Sequence, residues 1–190
     1  LMVDYEYHSR GIEYGDVAAG IRAKKWVNDH VAIGGTWVEE QRDKQAAYRL
    51  KGADVTLQAK RGTYIKFEHN ESDSLSTQMF VSNNGGFSFE SLGSNQQRSG
   101  HAQSIEGRIN LQELGWTKRE WTAGAWYKEV SAGFSSTRTD YGETTIEQGV
   151  EATGEITDKL KTTVRQTDAK RGDDRFEDAQ AQLEWQINPD

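Results

Sequence analysis

The chain has 190 residues, which is enough for one domain of ordinary size or for one β-barrel. Its 30 acidic and 23 basic residues give a net charge of -7, which argues against a nucleic-acid-binding surface. It contains no cysteine, so thiolate metal sites and cysteine nucleophiles are excluded.

Hydrophobic residues make up 34% of the chain, below the share in a typical globular protein. A two-layer sandwich of this length should need more apolar residues to fill its core. A barrel with a polar interior needs only one apolar face per strand, so the composition favours a wet interior. No apolar run approaches the roughly 18 residues of a transmembrane helix, and residues 1–4 do not begin a signal peptide.

Along the first half of the chain, apolar residues recur at every second position, which predicts β-strands with one apolar face. Polar loops or tight turns separate these stretches. The alternating positions of the five predicted strands are Val3, Tyr5 and Tyr7; Val17, Ala19, Ile21 and Ala23; Val31, Ile33, Gly35 and Trp37; Ala53, Val55, Leu57 and Ala59; and Ile65 and Phe67.

Residues 70–100 break this rhythm and are rich in Ser, Asn, Gly and Gln. Within them, residues 83–86 read Asn-Asn-Gly-Gly, which is the turn chemistry of a small β-hairpin. The sequence leaves open whether this hairpin adds two strands to the main sheet or stands above it as a long excursion. The turn is flanked by Met79, Val81, Phe87 and Phe89.

The second half of the chain predicts five more strands by the same alternation. A wider polar loop, residues 168–174, precedes the last of them. The alternating positions are Ile105, Gly107, Ile109 and Leu111; Trp121, Ala123, Ala125 and Tyr127; Ile146, Gln148, Val150, Ala152, Gly154 and Ile156; Leu160, Thr162 and Val164; and Ala179, Ala181, Leu183, Trp185 and Ile187.

Strand length is the most discriminating feature of this pattern. The sequence predicts about ten main strands, most of them about 9 to 13 residues long, whereas a globular strand has about 5 or 6. A tilted membrane strand needs about 9 to 11 residues. We therefore predict an all-β fold, an antiparallel meander of long strands that forms an outer-membrane β-barrel or a section of a larger one.

The predicted connections alternate between short turns and longer polar loops, as in a barrel with turns at one end and loops at the other. A Greek-key sandwich need not show this alternation. Short turns are expected after Trp26, Ala59, Leu114, Ile156 and Ile187, and longer loops after Tyr7, Trp37, Phe67, Val130 and Thr167.

Four aromatic residues lie beside the short turns and would form a ring at one end of the sheet. Such rings suit the boundary between hydrocarbon and headgroups, because an indole is apolar in body and polar at its N–H. The alternative is that the tryptophans fill one end of a soluble core. The candidates for this membrane-interface belt are Trp26, Tyr64, Trp116 and Trp185.

Charged residues of both signs occupy the polar positions of the second half. In a barrel they would line the lumen as a charge ladder, whereas in a soluble sheet they would form an ordinary hydrated face. The ladder candidates are Arg108, Lys128, Glu147, Glu151, Lys159, Lys161, Arg165 and Glu184.

No catalytic or cofactor motif of the types GxSxG, HExxH, Walker loop or GxGxxG occurs in the chain. The four histidines are scattered without metal-ligand spacing. The acidic stretch around Asp168 and Asp173 lacks the DxDxDG pattern of a calcium loop. A glycosidase pair of carboxylates is disfavoured, because such pairs are unavoidable with 30 acidic residues. We expect no enzyme activity, no cofactor and no metal site.

Four stretches after Asp54 carry a resemblance to a known group of proteins. They are Tyr-Ile-Lys-Phe-Glu at 64–68 before a serine-rich loop, Ser-Asn-Asn-Gly-Gly-Phe-Ser-Phe at 82–89, Ala-Gly-Ala-Trp-Tyr at 123–127 with Ala-Gly-Phe-Ser at 132–135, and Gly-Val-Glu-Ala at 149–152 with Ile-Thr-Asp at 156–158. With these, the chain resembles the outer-membrane β-barrel regions towards the C-terminal end of very large, poorly characterised bacterial envelope proteins with arrays of repeat modules. The resemblance implies a fold and a location more than an activity.

On this interpretation, residues 1–190 are one barrel domain or barrel section in a bacterial outer membrane. It would be an anchor, pore or passage for an attached surface or secreted module. Its partners would be outer-membrane lipid and the rest of a longer parent chain or larger barrel, because Leu1 enters a strand at once and Asp190 follows a turn. The alternative is a soluble or surface-exposed all-β binding module, either an adhesin or a carbohydrate-binding domain, at the cell surface or secreted.

Overall fold

A computed structural model describes residues 18–40, 47–75, 80–81, 90–91, 97–136 and 141–187. Regular structure in these ranges is β-strand throughout, so the predicted all-β class is confirmed. The same ranges contain no helix with the length and apolarity that a membrane crossing requires.

Nine of the strands in the described residues form one antiparallel sheet, in the order β1-β2-β3-β4-β7-β8-β9-β10-β11, and β5 and β6 pair separately. The bounds are Ala18–Trp26 for β1, Val31–Glu40 for β2, Tyr48–Lys60 for β3, Thr63–Leu75 for β4, Phe80–Val81 for β5, Glu90–Ser91 for β6, Gln97–Asn110 for β7, Trp121–Val130 for β8, Thr145–Thr157 for β9, Leu160–Arg171 for β10 and Asp174–Trp185 for β11.

The main sheet is a meander in which each strand pairs with the strand before it and the strand after it along the chain. Its ladders run nearly the full length of the strands; β4 and β7, for example, pair from Tyr64 with Arg108 to Leu75 with Gln97. Ladders of this length satisfy the backbone N–H and C=O groups between strands. The predicted antiparallel meander of long strands is confirmed.

The sheet has two edges within the described residues, because β1 pairs only with β2 and β11 pairs only with β10. The predicted first strand, residues 3–7, lies outside the described residues. Nine strands of a meander leave β1 and β11 running in the same direction, so an antiparallel closure between them would require an additional strand.

The predicted polar loop at residues 168–174 is wrong, because β10 continues to Arg171 and β11 begins at Asp174. Gly172 makes the tight turn possible with a φ of 57°, a left-handed conformation that favours glycine. Asp168 lies in the ladder opposite Glu177, and its carboxylate accepts hydrogen bonds from Arg175 at 3.1 and 2.8 Å. Both faces of this hairpin are polar, so its sequence has the composition of a loop and lacks the alternation that predicts a strand.

The connection between β7 and β8 is also longer than the turn predicted at Leu114, since it occupies residues 111–120. The Asn110 side chain organises its start, because its Oδ1 accepts hydrogen bonds from the backbone N–H groups of Gln112 and Glu113 at 3.0 and 3.1 Å. Together with the tight β10–β11 turn, this connection shows that the predicted strict alternation of short and long connections is wrong.

The region expected to be a long loop, residues 70–100, is partly strand. β4 and β7 extend the main ladder into it, with Ser72 opposite Gly100. Between them, Phe80 pairs with Ser91 and Val81 with Glu90, so β5 and β6 form a sheet separate from the main one. The predicted turn at residues 83–86, with Met79, Phe87 and Phe89, lies outside the described residues.

The two faces of the main sheet differ in chemistry, and we call them the apolar face and the polar face. Cross-strand partners point to the same side of a sheet, so one ladder row identifies a face. One row of the apolar face contains Ile33, Val55, Phe67, Ile105 and Tyr127. The neighbouring row of the polar face contains Gly34, Asp54, Glu68, Ser104, Lys128 and Glu147.

In β3, the burial of the two faces is the reverse of that in a water-soluble sheet. In β3, Val55 and Leu57 on the apolar face are 38% and 45% exposed, whereas Asp54 and Thr56 on the polar face are 4% and 6% exposed. The buried hydrophobic residues among those described are Ala32, Tyr48 and Phe134. The described residues therefore contain no second layer that covers the apolar face.

Side chains converge on the polar face by lying over glycines of the neighbouring strand. A Cβ added to Gly34 would lie 2.7 Å from Cγ of Asp54, and one added to Gly149 would lie 2.7 Å from Cη2 of Trp126. On the apolar face, Gly35 and Gly107 have ordinary contacts, and Gly154 is the glycine covered by a neighbouring side chain, the ring of Trp121. Crowding that is concentrated on one face is expected when a sheet coils towards that face. We infer that the sheet curves towards its polar face.

Substitution of Gly34 by alanine tests this crowding. The added methyl group has to displace the buried Asp54 side chain, so we expect Gly34→Ala to lower the free energy of unfolding by about 1–3 kcal/mol. Urea unfolding followed by tryptophan fluorescence would measure the change.

The matched control is Gly35→Ala, one residue further along β2 on the apolar face. Its nearest atom to an added Cβ is the Gly52 carbonyl oxygen at 3.7 Å, which is ordinary contact. This variant should be unchanged or up to about 1 kcal/mol more stable, because alanine loses less backbone entropy than glycine. Equal unfolding midpoints for the two variants would contradict the crowded polar face.

Candidate functional site

A line of ion pairs crosses the polar face from β7 to β10. Arg108 on β7 and Arg165 on β10 approach the carboxylate of Glu151 on β9, at 3.5 and 3.9 Å. The strand between Arg108 and Glu151 carries Gly124 in the same ladder row, and this glycine leaves space for the guanidinium to pass. One carboxylate is thus shared by two cations from strands on either side of it.

Trp126 extends this line towards the end of the sheet at which β8 leads into the β8–β9 connection, which we call the loop end. Its Nε1 donates a hydrogen bond to Glu147 at 2.8 Å, and the guanidinium of Arg165 lies 4.7 Å from the centre of its ring. The second contact is a cation–π interaction. Lys128 lies 3.8 Å from Glu147, its direct cross-strand partner. The indole ring therefore joins the two ion-pair groups into one network.

Five of the eight predicted ladder residues lie in this network: Arg108, Lys128, Glu147, Glu151 and Arg165. Lys161 and Glu184 are cross-strand partners on the same face, but neither has an ion pair within 4.0 Å among the described residues. Lys159 lies in the turn between β9 and β10, where its backbone N–H donates to Thr157.

A second charged group, on β1 to β3, was not predicted from the sequence. Asp54 is 4% exposed and lies 3.8 Å from Arg22 and 3.7 Å from Lys24, both on β1. Lys24 also donates a hydrogen bond to Thr56 at 2.9 Å. These contacts pass over Gly34 of β2 and hold the edge strand β1 to β3. The signal for this group in the sequence was a glycine in one strand, Gly34, opposite a charged residue in the next, Asp54.

The polar face between these two groups is also occupied by paired side chains. Lys66 and Asn70 donate hydrogen bonds to Glu68 at 2.8 and 3.1 Å. Tyr64 donates to Glu106 at 2.7 Å. Charges of opposite sign therefore follow one another across the polar face from β1 to β10, which keeps most carboxylates beside a donor.

The four predicted belt residues lie at one end of the sheet but on different sides of it. Trp185, 69% exposed, projects from the apolar face at the end of β11, and Trp116, 70% exposed, lies in the β7–β8 connection. Trp26 lies on the polar face, where the ammonium of Lys24 is 6.0 Å from its ring. Tyr64 also points to the polar face, towards Glu106. Their role as an interface belt stays a prediction.

The most buried part of the described chain is where the β8–β9 connection folds back over the polar face. We call residues 131–136 the strap. Tyr48 of β3 and Ser72 of β4 are each 2% exposed beneath it, and its own Phe134 and Ser135 are 7% and 3% exposed. The strap thus covers residues that are distant in sequence, so no local pattern could have predicted it.

The described residues contain no group of three or more His, Asp or Glu side chains placed to hold a metal ion.

A shallow surface cavity of about 490 Å³ lies on the apolar side of the loop end, lined by residues that include Tyr127, Gln148, Asp168 and Arg175. Arg175 is already engaged there, since it contacts Asp168 and Glu177 at 2.8 Å each. This arrangement supplies no nucleophile or general base with a defined substrate position.

Removal of the shared carboxylate tests the charge network. Glu151→Gln leaves Arg108 and Arg165 facing each other without a counter-charge, so we expect a loss of about 1 kcal/mol of unfolding free energy at low salt. The loss should shrink in about 1 M salt, because screening weakens both the lost attraction and the new repulsion. Urea unfolding at the two salt concentrations would measure it.

Glu155→Gln is the matched control, because Glu155 is four residues further along the same face of β9 and has no ion pair within 4.0 Å among the described residues. It should unfold as the parent chain does at both salt concentrations. A Glu151→Gln variant that is equally stable would show that the network contributes nothing to stability.

No family model matches the chain, and neither any curated protein nor any solved structure does. The fold and the arrangement of side chains are therefore the basis for a functional proposal.

Proposed function

We propose that the chain forms the wall of a bacterial outer-membrane β-barrel, which serves as a membrane anchor or passage for an attached surface or secreted module. The observation that carries this proposal is the exposed apolar face. Its large side chains are exposed on eight strands of the main sheet, and they include Ile21, Ile33, Trp37, Val55, Leu57, Ile65, Phe67, Ile105, Val150, Val164, Leu183 and Trp185. Acyl chains would cover this face without a second protein layer.

The position of the apolar residues along successive strands supports the same proposal. The ladder row that starts at Gly35 in β2 passes through Ala53 and ends at Lys170 in β10 and Arg175 in β11. Gly35 lies next to the middle of the apolar stretch Val31 to Trp37 of β2, and Ala181 lies next to the middle of the apolar stretch Ala179 to Trp185 of β11. One hydrogen-bonded row is thus apolar at one side of the sheet and charged at the other.

This drift gives the tilt of the strands relative to the apolar band. Ala181 lies six residues beyond Arg175, and seven strand-to-strand steps separate β2 from β11. At about 3.4 Å per residue and about 4.8 Å per strand, the band rises about 20 Å over about 34 Å, a slope of about 30°. Strands of membrane barrels tilt by about 35–45°. A band that crosses ladder rows at nearly this angle is expected when tilted strands cross a flat lipid layer.

The polar face complements the apolar band. Paired charges such as Arg108 with Glu151 and Lys66 with Glu68 would face a narrow, hydrated lumen filled mainly by side chains. Each main-sheet strand between β1 and β11 satisfies its backbone through two neighbours, which is the requirement for crossing hydrocarbon. The edges at β1 and β11 then require further strands, from the rest of this chain or from a larger barrel.

Behaviour in detergent gives the first test. The expressed chain should require detergent or lipid to remain folded and should migrate differently on a gel before and after boiling. A chain that stays folded in aqueous buffer, with no heat-dependent migration, would instead support a soluble binding module whose apolar face is covered by protein.

An arginine scan of two adjacent positions gives a sharper test. Ala181→Arg places a charge at the centre of the apolar band of β11, where lipid exposure would cost about 2–4 kcal/mol. We expect a large fall in the folded fraction after dilution from urea into lipid vesicles. In water the same substitution at an exposed position should change stability by no more than about 0.5 kcal/mol.

Gln182→Arg is the control, since its side chain belongs to the polar face and it pairs with Thr163. It should fold into vesicles as the parent chain does. Equal folded fractions for the two variants would contradict a lipid-facing apolar band.

A further inference from the structure

We infer that the strap, residues 131–136, closes the lumen at the loop end of the sheet. The barrel then acts as a membrane anchor with a closed lumen, and the lumen opens only when the strap is displaced. This inference rests on the proposed function, and it distinguishes between the anchor and the open passage that the proposal allows. It depends on the path of the strap, its attachment points and its burial.

The strap is fixed first to β7, next to the strand from which it leaves. The backbone N–H of Ser131 donates to the His101 carbonyl at 2.8 Å, and its hydroxyl accepts from the His101 N–H at 2.8 Å. The chain then passes directly over Gly100, where a Cβ would overlap the backbone of Phe134. The close approach requires glycine at position 100.

The strap continues across β4 to β3. The Ser135 N–H donates to Oγ of Ser72 at 2.8 Å, and the Tyr48 hydroxyl donates to the Ser135 carbonyl at 3.2 Å. From β8 to β3 the strap crosses three strand spacings, or about 14 Å. Ser72 and Gly100 are cross-strand partners on the polar face, and Tyr48 lies on the same face of β3, so the strap lies against this face from β7 to β3.

Residues 141–144, which precede β9 and which we call the returning arm, are also held by hydrogen bonds. The backbones of Phe134 and Tyr141 are joined by a hydrogen bond from the Tyr141 N–H at 2.9 Å, and Gly133 donates to the Tyr141 carbonyl at 2.8 Å. The two rings are 6.2 Å apart. Thr144 then accepts a hydrogen bond from the Gly172 N–H at 3.0 Å, which ties the arm to the β10–β11 turn.

Burial indicates what the strap does to water. Tyr48, Ser72 and Ser135 are 2 to 3% exposed, although they lie on the face that would line a hydrated lumen. In a barrel of about ten strands the lumen is only slightly wider than one that side chains fill completely. A segment that lies along about 14 Å of the inner wall and buries the residues beneath it takes up much of this narrow space and leaves little room for ions or solutes at this level.

The double variant Tyr48→Phe with Ser72→Ala tests the inference, because it removes two hydroxyls that hydrogen-bond to the Ser135 backbone. Inserted into planar lipid bilayers, the parent chain should show only rare openings. The double variant should open about 30-fold more often, the factor that corresponds to two lost hydrogen bonds worth about 1 kcal/mol each. Ser104→Ala, on the polar face of β7, is the control and should match the parent.

A reversible lock keeps the test independent of how well the double variant folds. The chain has no cysteine, so Ser72→Cys with Ser135→Cys introduces one possible disulfide. We expect the oxidised form to suppress openings below the parent level and reduction to restore them. Formation of the disulfide can also be measured in detergent, where it does not depend on conduction.

Several results would overturn the inference while leaving the barrel intact: a parent chain that inserts and conducts continuously, a double variant with parent-like openings, or a cysteine pair that does not cross-link in the folded protein. A chain that fails to insert into lipid, with Ala181→Arg behaving as Gln182→Arg does, would instead contradict the proposed function itself.

Discussion

Backbone hydrogen bonds between successive strands hold this sheet together, because the described residues contain almost no hydrophobic core. Only Ala32, Tyr48 and Phe134 are buried hydrophobic residues among them. In the ladder between β4 and β7, for example, every residue of β4 from Tyr64 to Leu75 has a partner in β7. In water such a sheet would leave its apolar side chains exposed, which is costly at about 25 cal/mol per Å². In hydrocarbon the same face is at no disadvantage, and the pairing of the backbone between strands becomes the main requirement. The membrane proposal follows from this difference between water and hydrocarbon for the exposed apolar face, more than from any single residue.

The polar face solves a different problem, which is to place many charges and hydroxyls on the inside of a curved sheet. Glycines at positions such as 34, 100 and 149 leave room for a side chain or a loop from the neighbouring strand. The charges then pair across strands, as Glu151 does with two arginines. Where the sheet reaches its loop end, the strap replaces side-chain pairing as the covering element, and Tyr48 and Ser72 become the most buried residues of their strands. Packing on this face is therefore dense even though it is polar.

The sequence predicted the strands and their faces well because the side-chain period of a strand is two and both faces differ in polarity. The alternation from Ile146 to Ile156 corresponds directly to the apolar face of β9. The prediction failed where both faces become polar: residues 168–171 belong to β10, yet they carry no alternation from which a strand could be read. The contacts of the strap with Tyr48 were beyond sequence analysis, because they depend on the register of several strands. The pairing of Asp54 with Arg22 required the register of three strands in addition to the glycine that the sequence shows between them. Five members of the predicted charge ladder meet in one network for the simpler reason that they share a face.

The relation between ladder rows and membrane depth is the most direct test of this account. Spin labels placed in turn at Gly35, Arg175 and Ala181 of the vesicle-inserted chain can be compared for accessibility to oxygen and to a water-soluble nickel complex. Gly35 and Arg175 share a hydrogen-bonded row, whereas Gly35 and Ala181 share the centre of the apolar band. The account predicts that labels at Gly35 and Ala181 lie at the same depth in hydrocarbon and that the label at Arg175 is accessible to the nickel complex. Equal depth for Gly35 and Arg175, or water accessibility at all three positions, would contradict a band of lipid crossing tilted strands.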